Sequence, residues 1–259
     1  MQTKMNRTAR KQNDKSRKII PVILVLLLVL LSALLFYLAT WPRYLTKHFY
    51  GDMTEELKDS ELYEDLQSGK SVCFVGDSIT AGSSNWGVTW FEPLRPYIKG
   101  DISNVSGPGA TTGDIIACMD TIPNADIYII AIGVNDVMFP NDADCASTGE
   151  EYVSNLEIIA DHLSVISPGS KIYFIAPWIL IEYPEDVDNR RNEFADALSD
   201  WCNGTDRICI DPYPVLYSVI QEEGSSRYMY DNVHPNIRHG VGLYSYAVLY
   251  QEHQRRSVS

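Results

Sequence analysis

ADIYIIAIGVND, residues 125–136, decides the fold: it is a continuous apolar run that breaks into polar residues only at its end. A short run that is apolar on both faces reads as a strand buried on both sides of a sheet. SVCFVGD (71–77), KIYFIAPW (171–178) and RICIDPY (207–213) repeat the pattern, and DISNVS (101–106) is a more polar version of it. Helical stretches are expected between and after them: around 90–98, over 112–121, over 149–166, over 187–202, and from about Pro235 to Gln254. In 149–166 the apolar positions Val153, Leu156, Ile159, Leu163 and Ile166 recur at helical spacing, and Pro235 suits the first turn of the last helix. Strands alternating with helices imply a parallel sheet covered on both faces. Sites in such sheets form beyond the carboxyl ends of the strands. Here those ends are Gly76-Asp77-Ser78, Ser106 to Gly109, Gly133 to Asp136, and Pro177-Trp178.

Upstream of this pattern the chain changes character. Residues 1–18 hold seven basic side chains against the lone Asp14, a net of +6, so the rest of the chain carries −19 of the total −13. So acidic a body repels phosphate backbones, which excludes nucleic acid as a partner. From Lys18 to Arg43 no charge interrupts an almost wholly apolar run, with Phe36, Tyr37, Trp41 and Tyr44 at its far end. Roughly 20 apolar residues span a bilayer as a helix, so residues 19–41 are expected to be one transmembrane anchor. The basic flank keeps the N-terminus cytoplasmic, giving a single-pass type II topology with the catalytic body outside the cell membrane. A cleaved signal peptide is the alternative, but its apolar core is usually about 7–15 residues long, and here Ser32-Ala33 lies inside the run. The division expected is a basic tail at 1–18, the anchor at 19–41, a juxtamembrane linker at 42–70 and a catalytic domain at 71–259. Within the linker, Leu57, Leu62 and Leu66 are sparse apolar positions of a short acidic helix that reads as a spacer.

The five cysteines form no CxxC pair and no metal-ligand spacing with histidine. Cys73 reads as a small core residue, whereas Cys202 and Cys209 bracket a short loop and can pair in an oxidising compartment.

Three strand ends carry the residue types that acyl transfer needs. Ser78 follows the strand 71–77 directly, at a turn that presents its hydroxyl at the sheet's top edge; a serine needs a base to take its proton. Among five histidines, His234 stands apart in Asp231-Asn232-Val233-His234-Pro235, where a turn brings Asp231 to its Nδ1–H and fixes the tautomer. Asn135, in Gly133-Val134-Asn135-Asp136, offers an amide donor for a developing oxyanion, and Gly109 offers a backbone N–H that no Cβ shields. Taken singly, each has a plain structural reading as a helix cap or turn residue.

Together GDSIT, NVSGPGATT, GVND and DNVHPN resemble, in this order, the four sequence blocks of the GDSL/SGNH hydrolase superfamily, over about residues 71–254. The resemblance implies a flavodoxin-like three-layer α/β/α fold with about five parallel strands and no metal or organic cofactor. It also implies Ser78 as nucleophile and first oxyanion donor, Gly109 and Asn135 as the other donors, and His234 with Asp231 as base and orienting acid. Gly107 rivals Gly109 because Pro108 separates them. The G-x-S-x-G elbow of α/β-hydrolases is not found around Ser78.

Such a chain is expected to remove acyl, above all acetyl, groups from a cell-surface glycan or related ester. Trp86 and Trp178, with Trp90 and Tyr183 nearby, are candidate sugar platforms, although large aromatics also fill cores. The same acyl-serine could serve an O-acetyltransferase, which would need a membrane partner as acetyl donor; a non-catalytic glycan-binding module is the reading from another class.

Overall fold

The computed structural model describes residues 21–37 and 55–258, and the chain forms two units, Met1–Tyr44 and Leu45–Ser259. In the first unit residues 21–37 are helical (α1), and large apolar side chains from Val22 to Tyr37 are exposed. The transmembrane helix expected over 19–41 is not found: no helix among the described residues is long and apolar enough to cross a membrane. Residues 19, 20 and 38–41 of the expected span lie outside the described residues.

The second unit is built on five parallel strands: β1 (Val72–Gly76), β2 (Ile102–Ser106), β3 (Ile127–Ala131), β4 (Lys171–Ile175) and β5 (Ile208–Ile210), in the order β2-β1-β3-β4-β5. This is the flavodoxin-like order. All five residues of β1 and of β3 are buried, whereas no residue of the edge strand β2 is fully buried. The apolar runs of the sequence thus mark the middle of the sheet, and the polar DISNVS marks its edge. The helices are α2 (Glu55–Lys58), α3 (Glu61–Gln67), α4 (Ser78–Ala81), α5 (Thr112–Cys118), α6 (Val134–Met138), α7 (Gly149–Ile166), α8 (Glu185–Cys202), α9 (Tyr213–Glu223), α10 (Ser225–Tyr228) and α11 (Gly240–Val258). Helices α5, α7 and α8 pack together as one group, and α3, α9 and α11 as another, as two buried sheet faces require.

Four expectations are corrected. Residues 90–98 form no α-helix but a 3-10 turn at Glu92–Tyr97, because Pro93 and Pro96 deny it the α-helical hydrogen bonds. Helix α11 starts at Gly240, not Pro235: Pro235 is held in a bridge to Met229, and Asn236 Oδ1 accepts the N–H groups of Arg238, His239 and Gly240. Helices α9 and α10 were not expected. The spacer reading of 55–70 also falls. Leu57, Leu62 and Leu66 are core residues at 1% exposure or less. The acidic face of α3 is taken up as well: Lys171 pairs with Glu61 and Asp65, and Arg255 with Glu61. Cys202 and Cys209 are joined, tying the end of α8 to β5.

Candidate active site

Strand β1 ends at Gly76, where a Cβ would lie 2.4 Å from the Ala131 carbonyl oxygen and 2.5 Å from Thr80 Oγ1. Only glycine lets the chain turn this tightly against β3. Asp77 then caps α4, its Oδ1 accepting the Ile79 N–H at 2.9 Å, and Ser78 becomes the first helical residue. Ser78 Oγ lies 2.8 Å from His234 Nε2, across 156 residues of chain. On the other side of the ring, His234 Nδ1 lies 2.9 Å and 3.0 Å from the two oxygens of Asp231. An ionised carboxylate only accepts, so Nδ1 carries the proton and Nε2 presents its lone pair to the serine hydroxyl.

Asp231 is held in turn. Its Oδ1 accepts the backbone N–H groups of Val233 at 2.8 Å and His234 at 2.7 Å. Burial alone would push its carboxyl up, but those two N–H groups and the His234 ring together hold it below the ordinary value. The carboxylate therefore stays ionised beside the imidazole, as support for an imidazolium requires.

The candidate oxyanion donors come from the neighbouring strands. In register, Gly76 lies opposite both Ser106 of β2 and Ala131 of β3, so the turns after all three strands open at one level. Gly109 sits in the turn after β2 at φ +73°, with nothing within 4 Å of where a Cβ would be. Of the two rival glycines, the Gly107 N–H donates to Gly76 O at 3.2 Å, whereas no such bond engages the Gly109 N–H among the described residues, which favours Gly109 as the free donor. Asn135 lies in the first turn of α6 and is 5% exposed. Its Nδ2 donates one hydrogen to Ala110 O at 2.8 Å, which locks the amide and leaves the second hydrogen for a ligand.

Behind these donors is a residue that sequence reading did not single out. Asp136 is wholly buried and accepts from the Thr112 N–H and hydroxyl and from the Ala146 N–H. It therefore pins the start of α5, and with it the Gly109 turn, to α6. Burial pushes its carboxyl up, against the pull of these hydrogen bonds.

The aromatic candidates separate sharply. Trp178 is 1% exposed, stacked on Tyr244 at 4.8 Å and packed beside Trp90 at 5.4 Å. It is a core residue, and its assignment to substrate is corrected: the chain after β4 turns inward, so no sugar reaches the ring. Trp90 is equally buried, its Nε1 donating to Thr80 Oγ1. Trp86 is the opposite case, 85% exposed and held at φ +57° on the loop after the serine helix. Tyr183 is half-buried, and the Asp231 charge adds to burial in raising its phenol.

No cluster of side chains suited to a metal ion is found among the described residues. A cavity of about 730 Å³ lies far from the serine, where Glu61, Lys171, Arg207 and Arg255 line it near the amino ends of β4 and β5. Its cations are already paired with Glu61, Asp65, Glu157 and Glu252.

Comparison with known proteins gives the family and the fold. The GDSL-like Lipase/Acylhydrolase family matches residues 74–238, while no curated protein matches the chain. Among solved structures, a variant of an acetyl-xylooligosaccharide esterase from Geobacillus stearothermophilus superposes with a TM-score of 0.62 at 18% identity, covering 72% of this chain and 95% of that one. The acetylxylan esterase of the same organism gives 0.59 at 19% identity, over 72% and 95%. An alpha/beta hydrolase from the metagenome of Lake Arreo, Spain, gives 0.58 at 19% identity, over 71% and 95%.

Proposed function

The chain belongs to the GDSL-like lipase/acylhydrolase family and is an ester hydrolase with a serine nucleophile, and from the geometry of its site we propose that it removes acetyl groups from a glycan outside the cell membrane. One observation carries the assignment of the machinery: the unbroken relay from Ser78 Oγ through the His234 ring to the Asp231 carboxylate. In this reading Ser78 Oγ attacks the ester carbonyl carbon while its proton passes to His234 Nε2. The carbonyl electrons move onto oxygen, which the N–H groups of Ser78 and Gly109 and the free amide hydrogen of Asn135 receive. Collapse breaks the C–O bond to the alcohol, which takes the proton from His234. Water then attacks the acyl-serine by the same route in reverse and releases the carboxylic acid.

The glycan part of the reading is supported by the exposed indole of Trp86 beside the serine helix and by the substrates in the names of the similar structures. Residues 19–41 serve as the anchor in this proposal. Support comes from the uncharged run between Lys18 and Arg43, the basic segment before it and the exposed apolar side chains of α1. The Cys202–Cys209 bond is of the kind that persists in oxidising surroundings, which supports export.

The test is acetate release by the full-length chain in mild detergent from an aryl acetate, an acetylated xylooligosaccharide and longer-chain esters, with and without a sugar acceptor. Acetyl esters should turn over, and Ser78→Ala should abolish the reaction. Equal rates for wild type and Ser78→Ala would remove the serine assignment. Acetyl transfer to the acceptor with none to water would replace hydrolysis by transfer. Protease added to intact cells should degrade residues 71–259; protection there would overturn the topology.

A further inference from the structure

Ser78 and His234 belong to segments with nothing in common along the chain, yet their reaction requires the serine oxygen and the imidazole nitrogen to stay in hydrogen-bond contact. The His234 segment is internally braced: the Tyr230 N–H donates to His234 O at 2.8 Å, the Asn236 N–H to Tyr228 O at 2.7 Å, and Asp231 ties down Val233 and His234. Such bracing shapes the loop without fixing its distance from β1. Among the described residues, two hydrogen bonds join residues 77–88 to residues 229–236. One is the reacting contact itself, Ser78 to His234. The other runs from Asn85 Nδ2 to Pro235 O at 2.7 Å.

Asn85 is 5% exposed, and the loop that carries it is built to stand still. Gly82 ends α4 at φ +70°, where a Cβ would meet Val88 O at 2.5 Å. The Asn85 N–H donates to Gly82 O, the Gly87 N–H to Gly82 O, and the Val88 N–H to Asn85 O. Trp86 and Gly87 follow at φ +57° and +81°. A non-glycine residue is disfavoured in the left-handed region because its Cβ crowds the backbone, so the turn is maintained by its surroundings rather than by local preference. Its inward product is one buried amide aimed at the carbonyl next to the histidine.

We propose that Asn85 is a positioning residue: a strut between the serine helix and the histidine loop that sets the Ser78–His234 separation for proton transfer. The inference rests on the proposed roles of Ser78 and His234. Proton transfer is steep in distance, and a misplacement of about 1 Å can cost on the order of 100-fold in rate. The strut touches no substrate, so its loss should appear in turnover and not in substrate affinity.

The experiment uses the full-length chain in mild detergent, with Asn85→Ala and the isosteric Asn85→Asp. Asp keeps the volume but turns an acceptor towards the Pro235 carbonyl. Four quantities are read: kcat and KM on an aryl acetate, the rate of Ser78 labelling by a fluorophosphonate, and the melting temperature. Both variants should lose roughly 10- to 100-fold in kcat and in labelling rate, with KM within about threefold of wild type. Wild-type labelling and kcat in folded variants would overturn the proposal. So would a wild-type-like Asp variant beside a damaged Ala variant, since the residue would then merely fill space. Failure of both variants to fold would also overturn it, by making Asn85 a stability element. A wild-type chain that neither labels at Ser78 nor hydrolyses any ester is a different result, because it removes the serine esterase reading itself.

Discussion

Asp77→Asn should make the protein's stability less sensitive to pH. Asp77 is 0% exposed beside the serine, with Oδ1 satisfied by the Ile79 N–H and Oδ2 without a hydrogen-bond partner among the described residues. Burial pushes its carboxyl from 3.8 up to about 7; the N–H groups of Ile79 and Thr80 pull the other way, and the nearby Asp136 charge adds to the rise. The sign follows from proton binding. Below about pH 4 the carboxyl is neutral both folded and unfolded and costs nothing. Between about 4 and 7 the unfolded chain ionises while the folded one holds its proton, so stability falls as pH rises. Above about 7 the loss is complete, and at about 1.4 kcal/mol per pH unit it amounts to about 4 kcal/mol. An asparagine can still cap α4 through its oxygen but has nothing to ionise.

The assay is urea unfolding of wild type and Asp77→Asn in the full-length chain, at half-unit steps from pH 4.5 to 8.5. The buried Asn NH₂ lacks a partner as Oδ2 did, and that contributes an offset of about 1–3 kcal/mol that does not depend on pH. The informative quantity is therefore the difference between the two proteins. Across this range it should swing in favour of Asn by about 3 kcal/mol as pH rises and level off above about 7. Groups not coupled to residue 77 cancel in that difference, while Asp136, whose charge adds to the rise of Asp77, contributes to it. A flat difference across the range would show that Asp77 does not hold its proton in the folded state, and the account of its burial would be wrong.

Three further substitutions probe the site. Asn135→Ala should lower kcat roughly 10²–10³-fold with little change in KM, because its free hydrogen acts as charge develops; normal turnover with a raised KM would make it a substrate contact. Asp231→Asn should cut kcat by roughly 10⁴-fold through the wrong imidazole tautomer while the melting temperature hardly moves, since the side chain is 44% exposed. A fall of less than tenfold would refute the relay. Trp86→Ala should raise KM several-fold for an acetylated xylooligosaccharide and leave a small aryl acetate untouched, as a stacking platform worth about 1 kcal/mol would; equal effects on both substrates, or none on either, would refute it.

The legible parts of the molecule are those whose cause is local. Strands β1 and β3 are buried on both faces, so burial wrote itself into the sequence as unbroken apolar runs. The Asp231–His234 contact spans three residues and is a turn, which a short motif can encode. Where the cause is distant, the sequence carries no mark of it. Glu61 and Asp65 look like a solvated acidic face until Lys171, more than 100 residues away, is placed against them. Helix α9 buries only Leu216 and Ile220 fully, too sparse a stripe to stand out after a strand. Trp86 and Trp178 are indistinguishable by position, both near strand ends, and only packing against Tyr244 separates core from surface. Asn85 has no local signal at all, because its partner lies 150 residues on.

These differences follow the construction of the site in two halves. In the proposed mechanism the half that receives negative charge comes from the sheet. Because Gly76, Ser106 and Ala131 share one level, the turns that follow them bring Ser78, Gly109 and Asn135 to one edge, with Asn135 and Asp136 bonding across to the Gly109 turn. The ladder that aligns these strands must break before the donors can drift apart. The half that would move the proton is a loop with its own bracing, joined to the serine segment among the described residues by two hydrogen bonds, that of Asn85 and the reacting contact. A substitution in the first half should therefore trade activity against stability together, as any change at a buried strand end does. A substitution in the second half can remove activity and leave the fold standing, since the loop carries little of the core. In the proposed mechanism the base and its acid therefore lie outside the sheet, and the element that would shift a proton in each cycle is not the one that holds the molecule together.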